Sequence, residues 1–379
     1  MSTTRVNRVA TVQALESVLA QVGSSKVGGH QPCVDLLRNL VESRGSIPHV
    51  EYECFARRVD RKVSEEIPLM PPPVLIAIAT SLSPPKGHRG SKSPFELILR
   101  NLQDRCVHDP SVLKKFGGRG AAKIVRTLSS SASKIDERFF QNVVHNIEIT
   151  PFSLAEIAPH IRNGDYFDVL MGRTHHHFRD EIAYASPLDI ALLCRAASLA
   201  PTFILPESSK KLLTQLSEHI PRIANGCNEI DVCNILTAIA PSGNVLLSER
   251  TSSSSSSPLD RIPRQNAIAA VHALVPKIVQ ISNLTKFDAR GVSACFSALG
   301  RLQIFDDQVA EAHKALCTKA GVLSTWKLLG IDHVSNILYD LTRLPVNYFH
   351  SLGDVGTTAL NDVIHVATFL VRDKLFHDF

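Results

Sequence analysis

Missing from this sequence is any apolar run long enough to cross a membrane: the longest, Val74 to Ala79, falls far short of the roughly 20 residues a span requires. No C-x-x-C pair occurs, and Cys33, Cys54, Cys106, Cys194, Cys227, Cys233, Cys295 and Cys317 are scattered, several inside apolar phrases such as ALLCRAA and SACFSAL. That excludes a disulfide scaffold and reads as buried thiols in a reducing compartment. No run shows the strict apolar-polar alternation of half-buried strands. Neither G-x-x-x-x-G-K-[ST] nor H-E-x-x-H is present, so the usual phosphate loop and zinc-protease helix are excluded. Aromatics make up only 6% of the chain, while 44% is hydrophobic and rich in Ala, Leu, Ile and Val, a mixture that favours packed helices.

What is there is a phrase written several times. Val232-Cys233-Asn234-Ile235-Leu236 falls on Val334-Ser335-Asn336-Ile337-Leu338 at an offset of 102 residues. Leu188 to Ala197 matches Ile230 to Ile239 at an offset of 42, and Val292 to Leu299 matches Val232 to Ile239 at 60. The long interval contains SGNVLLSERTSSSSSSPLDRIPR, a Ser-rich polar tract at 242–264 that supplies the extra residues. Each copy opens on a short acidic residue, Asp189, Asp231 or Asp288, expected to be the N-cap of an apolar helix. A second amphipathic helix follows. In PESSKKLLTQLSEHIPRIA, Pro206 suits the first turn while Leu212, Leu213, Leu216, Ile220 and Ile223 form one face. In DDQVAEAHKALCTKA the inward residues are Val309, Ala312, Leu316 and Cys317. Fainter copies precede these at SLAEIAPHI (153–161), GRGAAKIVRTL (118–128) and PPPVLIAIATSL (71–82). The expected fold is all-α: a solenoid of roughly seven or eight stacked antiparallel helix pairs with a repeat of about 42 residues. Such an array offers a groove for polymers or proteins in place of a deep pocket.

Charge divides the chain. Residues 1–130 carry 19 Lys and Arg against 11 Asp and Glu, and the remainder carries 22 against 25. The organisation expected is therefore a basic helical region at 1–130 and a repeat array at 131–379. Three basic groups stand in the first part: Arg57, Arg58, Arg61 and Lys62; Lys86, Arg89 and Lys92; and Lys114, Lys115, Arg119, Lys123 and Arg126. Lys115, Arg119, Lys123 and Arg126 recur at three- and four-residue spacing and predict a charged stripe on a helix beginning near Gly118. Together the groups could line one groove and track a polyanion, the bland alternative being wet surface. Phe116 is the only ring in the third group, so shape and phosphate contact, not base stacking, would carry binding. The start, MSTTRVNRVATVQALESVLAQV, has the chemistry of a mitochondrial presequence, yet Val12, Leu15, Leu19 and Val22 equally make the inward stripe of a first helix.

Other stretches invite sharper readings and do not sustain them. His175, His176 and His177 are consecutive, so on a helix they point about 100° apart and cannot converge on one ion; they read as helix-end histidines. Cys106 with His108, and Cys227 with Cys233, lack complete ligand sets. SPPKGHRGSKSPFELIL (83–99) imitates a phosphate loop, but Ser91 separates Gly90 from Lys92. Asn234 and Asn336 share a repeat position where Leu192 and Ala294 break any regular code, so bonding to a neighbouring repeat's backbone is expected.

The phrases VCNILTAIA, VSNILYDLTRL and VSACFSALGRL, each after an acidic opener, resemble the helix of organellar helical-repeat RNA-binding proteins: FAST-kinase-like leucine-rich, RAP-associated and octotricopeptide-type arrays. The resemblance spans about residues 150–345. It implies a mitochondrial or plastid ribonucleoprotein role in RNA processing, editing or ribosome assembly. The final VRDKLFHDF does not carry the terminal RAP module, so no nuclease role is implied. The expectation is a non-catalytic subunit with RNA and protein subunits as partners, and with no cofactor, metal, small-molecule substrate or membrane insertion. An armadillo- or HEAT-type adaptor without RNA contact, in the cytoplasm, is the alternative.

Overall fold

The computed structural model describes residues 13–20, 22, 30–83, 93–131, 135–201, 205–241 and 260–377. Among these residues the regular structure is helical, without strands. The chain divides into two compact units, Met1–Ile161 and Arg162–Phe379. The charge step after residue 130 does not coincide with this division, because the helix ending at Ser131 packs onward against Pro151–Ile157. Packing, not net charge, sets the boundary.

The first unit has two helical layers. In one, α1 (Gln31–Glu42) packs on α3 (Pro72–Leu82), α3 on α6 (Gly117–Ser131) and α6 on α8 (Pro151–Ile157). In the other, α2 (His49–Glu66) packs on α4 (Glu96–His108) and α4 on α7 (Glu137–Asn146), with the short α5 (Ser111–Lys115) beside them. Residues 13–20 are helical, and Leu15, Leu19 and Val22 are buried as their stripe predicted; Val12 lies outside the described residues. All three faint copies thus fall in one layer, as α3, α6 and α8.

The second unit repeats the scheme more regularly. One layer stacks α10 (Pro187–Ser198), α12 (Glu229–Ile239), α14 (Ala289–Leu302) and α16 (Ile331–Leu341), which are the four copies of the repeated phrase. The other stacks α9 (Gly164–Phe178), α11 (Glu207–Ile223), α13 (Arg264–Ser282) and α15 (Asp307–Thr325). After α17 (Val346–Ser351), the long α18 (Gly353–His377) packs on both α15 and α16 and closes the stack. Each unit is therefore an α-solenoid of stacked antiparallel helix pairs. The tract at 242–259 lies outside the described residues, whereas Ile262 is already buried and α13 begins at Arg264.

The apolar faces read from sequence are the buried ones: Leu212, Leu213, Leu216, Ile220 and Ile223 on α11, and Val309, Ala312, Leu316 and Cys317 on α15. Each fully buried Leu or Ile contributes about 1.5–3 kcal/mol. Two capping expectations need correction. Asp288 is the N-cap of α14, but Asp189 and Asp231 occupy the third helical position behind Ser186 and Asn228. Asn228 and Asp231 form a reciprocal capping box, in which Asn228 Oδ1 accepts from Ile230 N and Asp231 N and Asp231 Oδ2 accepts from Asn228 N, three backbone donors in all. Pro206 likewise stands at the N-cap of α11, one residue before the first turn.

Between repeats, polar side chains close the helix ends of their neighbours. The Asp60 carboxylate of α2 accepts the N–H groups of Leu97 and Ile98, at 3.0 and 2.9 Å, opening α4. Asp168 of α9 accepts from Ser208 N at the start of α11, and Glu148 accepts from Gly118 N at the start of α6. At carbonyl ends the donors are cationic or amide groups: Asn142 on Cys106 and Val107, Arg222 on Ile182 and Ala185, Arg264 on Leu302 and Gln303, and Lys319 on Leu284. Helix ends leave four backbone groups each without partners, so this lacing satisfies what packing alone would strand.

Candidate nucleic-acid interface

The predicted basic residues are distributed over both layers of the first unit. Arg57, Arg58, Arg61 and Lys62 lie on α2, and Lys114 and Lys115 on α5 beside α7; Lys115 does not join the expected stripe, because the chain turns at Gly117, φ 63°, where α6 begins. Arg119, Lys123 and Arg126 lie on α6 in the opposite layer. They do not line one groove, because α2 and α6 stack in different rows. Lys86, Arg89 and Lys92 lie outside the described residues.

Several of these cations are already engaged. Arg58 meets Glu16 through both guanidinium ends at 2.5 and 3.0 Å, and its carbon head lies 5.6 Å from the Phe55 ring centre. The Lys62 ammonium donates to the Leu19 carbonyl at 2.8 Å, so it seats the first helical segment on α2. Arg126 stands 4.0 Å from Glu156. Arg57, Arg61, Lys114 and Lys115 are exposed, without ion-pair partners among the described residues.

The α6 stripe is the best formed. Gly118, Gly120, Ala121 and Ala122 are buried, and a Cβ on Gly120 would stand 2.6 Å from the Ile76 side chain. The small residues let α6 settle against α3 and leave Arg119, Lys123 and Arg126 along the outer edge. An open concavity of about 510 Å³ lies on this layer, lined by Arg38, Val41 and Glu42 of α1, Pro73, Ile76, Ala77, Thr80 and Ser81 of α3, and Lys123. Arg119 lies 5.5 Å over the ring of Phe152, which is 44% exposed. Arg38 and Phe152 escaped the sequence reading because they come from helices distant in the chain. Phe116, the ring that reading did note, is buried.

The N-termini of α4 and α6 carry internal anions. Carboxylates of Asp60 and Glu148 sit on the first N–H groups of α4 and α6, where a bound phosphate would otherwise sit. The pseudo-phosphate-loop therefore leads into a helix whose start is taken. Elsewhere, His175, His176 and His177 fall in the last turn of α9, and burial with neighbouring Arg179 and Lys211 holds the His175 imidazole below its usual range. Among the described residues no three His, Cys, Asp or Glu side chains gather where they could hold a metal, and no helix is long and apolar enough to cross a membrane. The Asn336 amide donates to the Ser293 hydroxyl of the neighbouring helix at 3.3 Å, a side-chain partner where a backbone one was expected. Asn234, at the equivalent position, is half-buried without a bond among the described residues.

No protein-family profile matches this chain, and no curated protein matches it. Among solved structures it is similar to a circular tandem repeat protein with novel repeat topology and enhanced subunit contact surfaces. That likeness has 13% identity and a TM-score of 0.30, and covers 99% of this chain and 89% of that one.

Proposed function

We propose that the protein is a non-catalytic helical-repeat subunit that holds RNA on the α1–α3–α6–α8 layer of its first unit. The observation that carries this reading is the concavity edged by Arg38 and Lys123, with Arg119 and the exposed Phe152 beside it on the same layer. Cations at an open groove suit a phosphate backbone, and a half-exposed ring under an arginine suits an unpaired base. A mitochondrial ribonucleoprotein is the setting we infer, as the resemblance of the repeated phrase implies. Three phosphate contacts on single-stranded RNA give a log–log salt slope of about −2, or about a 20-fold loss of affinity between about 50 and 200 mM salt. Fluorescence anisotropy of labelled single-stranded RNA checks this: no binding, or binding indifferent to salt, rejects the reading.

An adaptor binding only protein is the second reading. It is favoured by Leu188, Ile230, Ile331 and Tyr339, all 43% exposed or more on the layer built from the repeated phrase. Co-purification of protein subunits without RNA would favour it.

A further inference from the structure

We propose that Cys233 and Cys295 form an oxidisable dithiol, which a peroxide converts to a disulfide stapling α12 to α14. The two sulfurs lie 3.8 Å apart on neighbouring helices of one layer. The Cys233 sulfur also rests 3.6 Å from the Gly291 carbonyl, against the backbone of the facing helix. The remaining gap to a disulfide bond of about 2.05 Å is smaller than the distance a rotation about Cα–Cβ moves a sulfur.

The partners are unequal, which gives the reaction an order. Cys233 is half-buried and open to a small oxidant, whereas Cys295 is fully buried. The bond between them and burial hold the Cys295 thiol well above its ordinary range, so its proton stays on. Cys233, as thiolate, attacks one peroxide oxygen; the O–O bond breaks, leaving a sulfenic acid on Cys233 and a hydroxide. Cys295 then attacks the Cys233 sulfur as its proton leaves. The S–O bond breaks and the departing hydroxide takes up a proton. Two thiols lose two electrons in total, and one hydrogen peroxide becomes two waters.

The bridge spans 62 residues of sequence, including the Ser-rich tract. Closing so long a loop restricts the unfolded chain and raises the melting temperature by about 10 °C. The test treats the full chain with hydrogen peroxide and maps alkylated peptides without reduction. The expected result is a cross-linked Cys233–Cys295 peptide lighter by two hydrogen atoms than the two thiol peptides together, with the exposed Cys54 still alkylated and the melt shifted upward. In Cys295→Ser, Cys233 should instead accumulate sulfenic acid trapped by dimedone. Because that variant alters a buried site, the wild-type peptide map decides. Separate alkylation of Cys233 and Cys295 after oxidation, or oxidation confined to Cys54, overturns the proposal.

Discussion

Asp340 offers a test of the packing that can be worked through in numbers. It lies on α16, only 6% exposed, and its Oδ2 has no hydrogen-bond partner. Gly300 of α14 lies so close that a Cβ there would stand 3.0 Å from Oδ1. The adjacent Arg301 directs its guanidinium to the carbonyls of Pro241 and Ser297, at 3.0 and 3.1 Å. Burial thus outweighs the attraction of Arg301 and Arg343 and raises the Asp340 carboxyl from 3.8 to about 7. A folded pKa above the unfolded one means that the group's stabilisation is complete in acid and is lost as pH rises through about 7. At about 1.4 kcal/mol per tenfold change in proton affinity, the loss from about pH 4 to about pH 8 amounts to about 4 kcal/mol. Asp340→Asn has no proton to lose. Denaturant titrations of both proteins across that range should show the variant gaining about 4 kcal/mol on the wild type, mostly between about pH 4 and 7. A difference flat to within about 0.5 kcal/mol, or a carboxyl carbon titration centred near the ordinary 3.8, refutes the burial argument.

Two further outcomes follow from the buried polar groups. Asp60→Ala strands the Leu97 and Ile98 N–H groups at the start of α4 and should cost about 2–4 kcal/mol in denaturant, more than Asp60→Asn, which keeps one acceptor; equal stability of all three proteins contradicts the cross-capping account. His313 is fully buried, its Nδ1 lies 2.8 Å from the Tyr348 hydroxyl, and burial lowers its pKa from 6.5 to about 4. A lowered histidine pKa is stabilising above the unfolded value and is lost in acid. Relative to His313→Gln, the wild type should therefore lose about 3 kcal/mol between about pH 6.5 and 4, and a pH-independent difference in denaturant midpoints would argue against it.

The array was legible because its apolar spacing is local information. The copies at 188, 230, 292 and 334 all proved to be helices of one layer, and the fainter ones at 71, 118 and 153 fell into one layer of the other unit. Capping was read less well: Asp189 and Asp231 stand at the third helical position behind the true caps Ser186 and Asn228, and only Asn228 with Asp231 closes a capping box. The unit boundary after Ile161 was hidden because charge changes near residue 130 while packing continues across it. At the candidate interface the sequence supplied the α6 stripe, since Arg119, Lys123 and Arg126 share a helix. Arg38 and Phe152 reach the same layer only through stacking, and the engagement of Arg58 by Glu16 and Lys62 by Leu19 is likewise a long-range fact. No spacing rule carries such information.

The most direct measurement of the proposed RNA-holding role of the α1–α3–α6–α8 layer compares two charge reversals of equal size. One reverses Arg119 and Lys123 on α6, the other Arg57 and Arg61 on α2; all four residues are exposed, so neither change disturbs the packed interior. Anisotropy with single-stranded RNA at low salt should show the α6 variant losing about tenfold or more in affinity and the α2 variant staying near wild type. Equal losses in both, or the greater loss in the α2 variant, would contradict the placement of RNA on the α1–α3–α6–α8 layer.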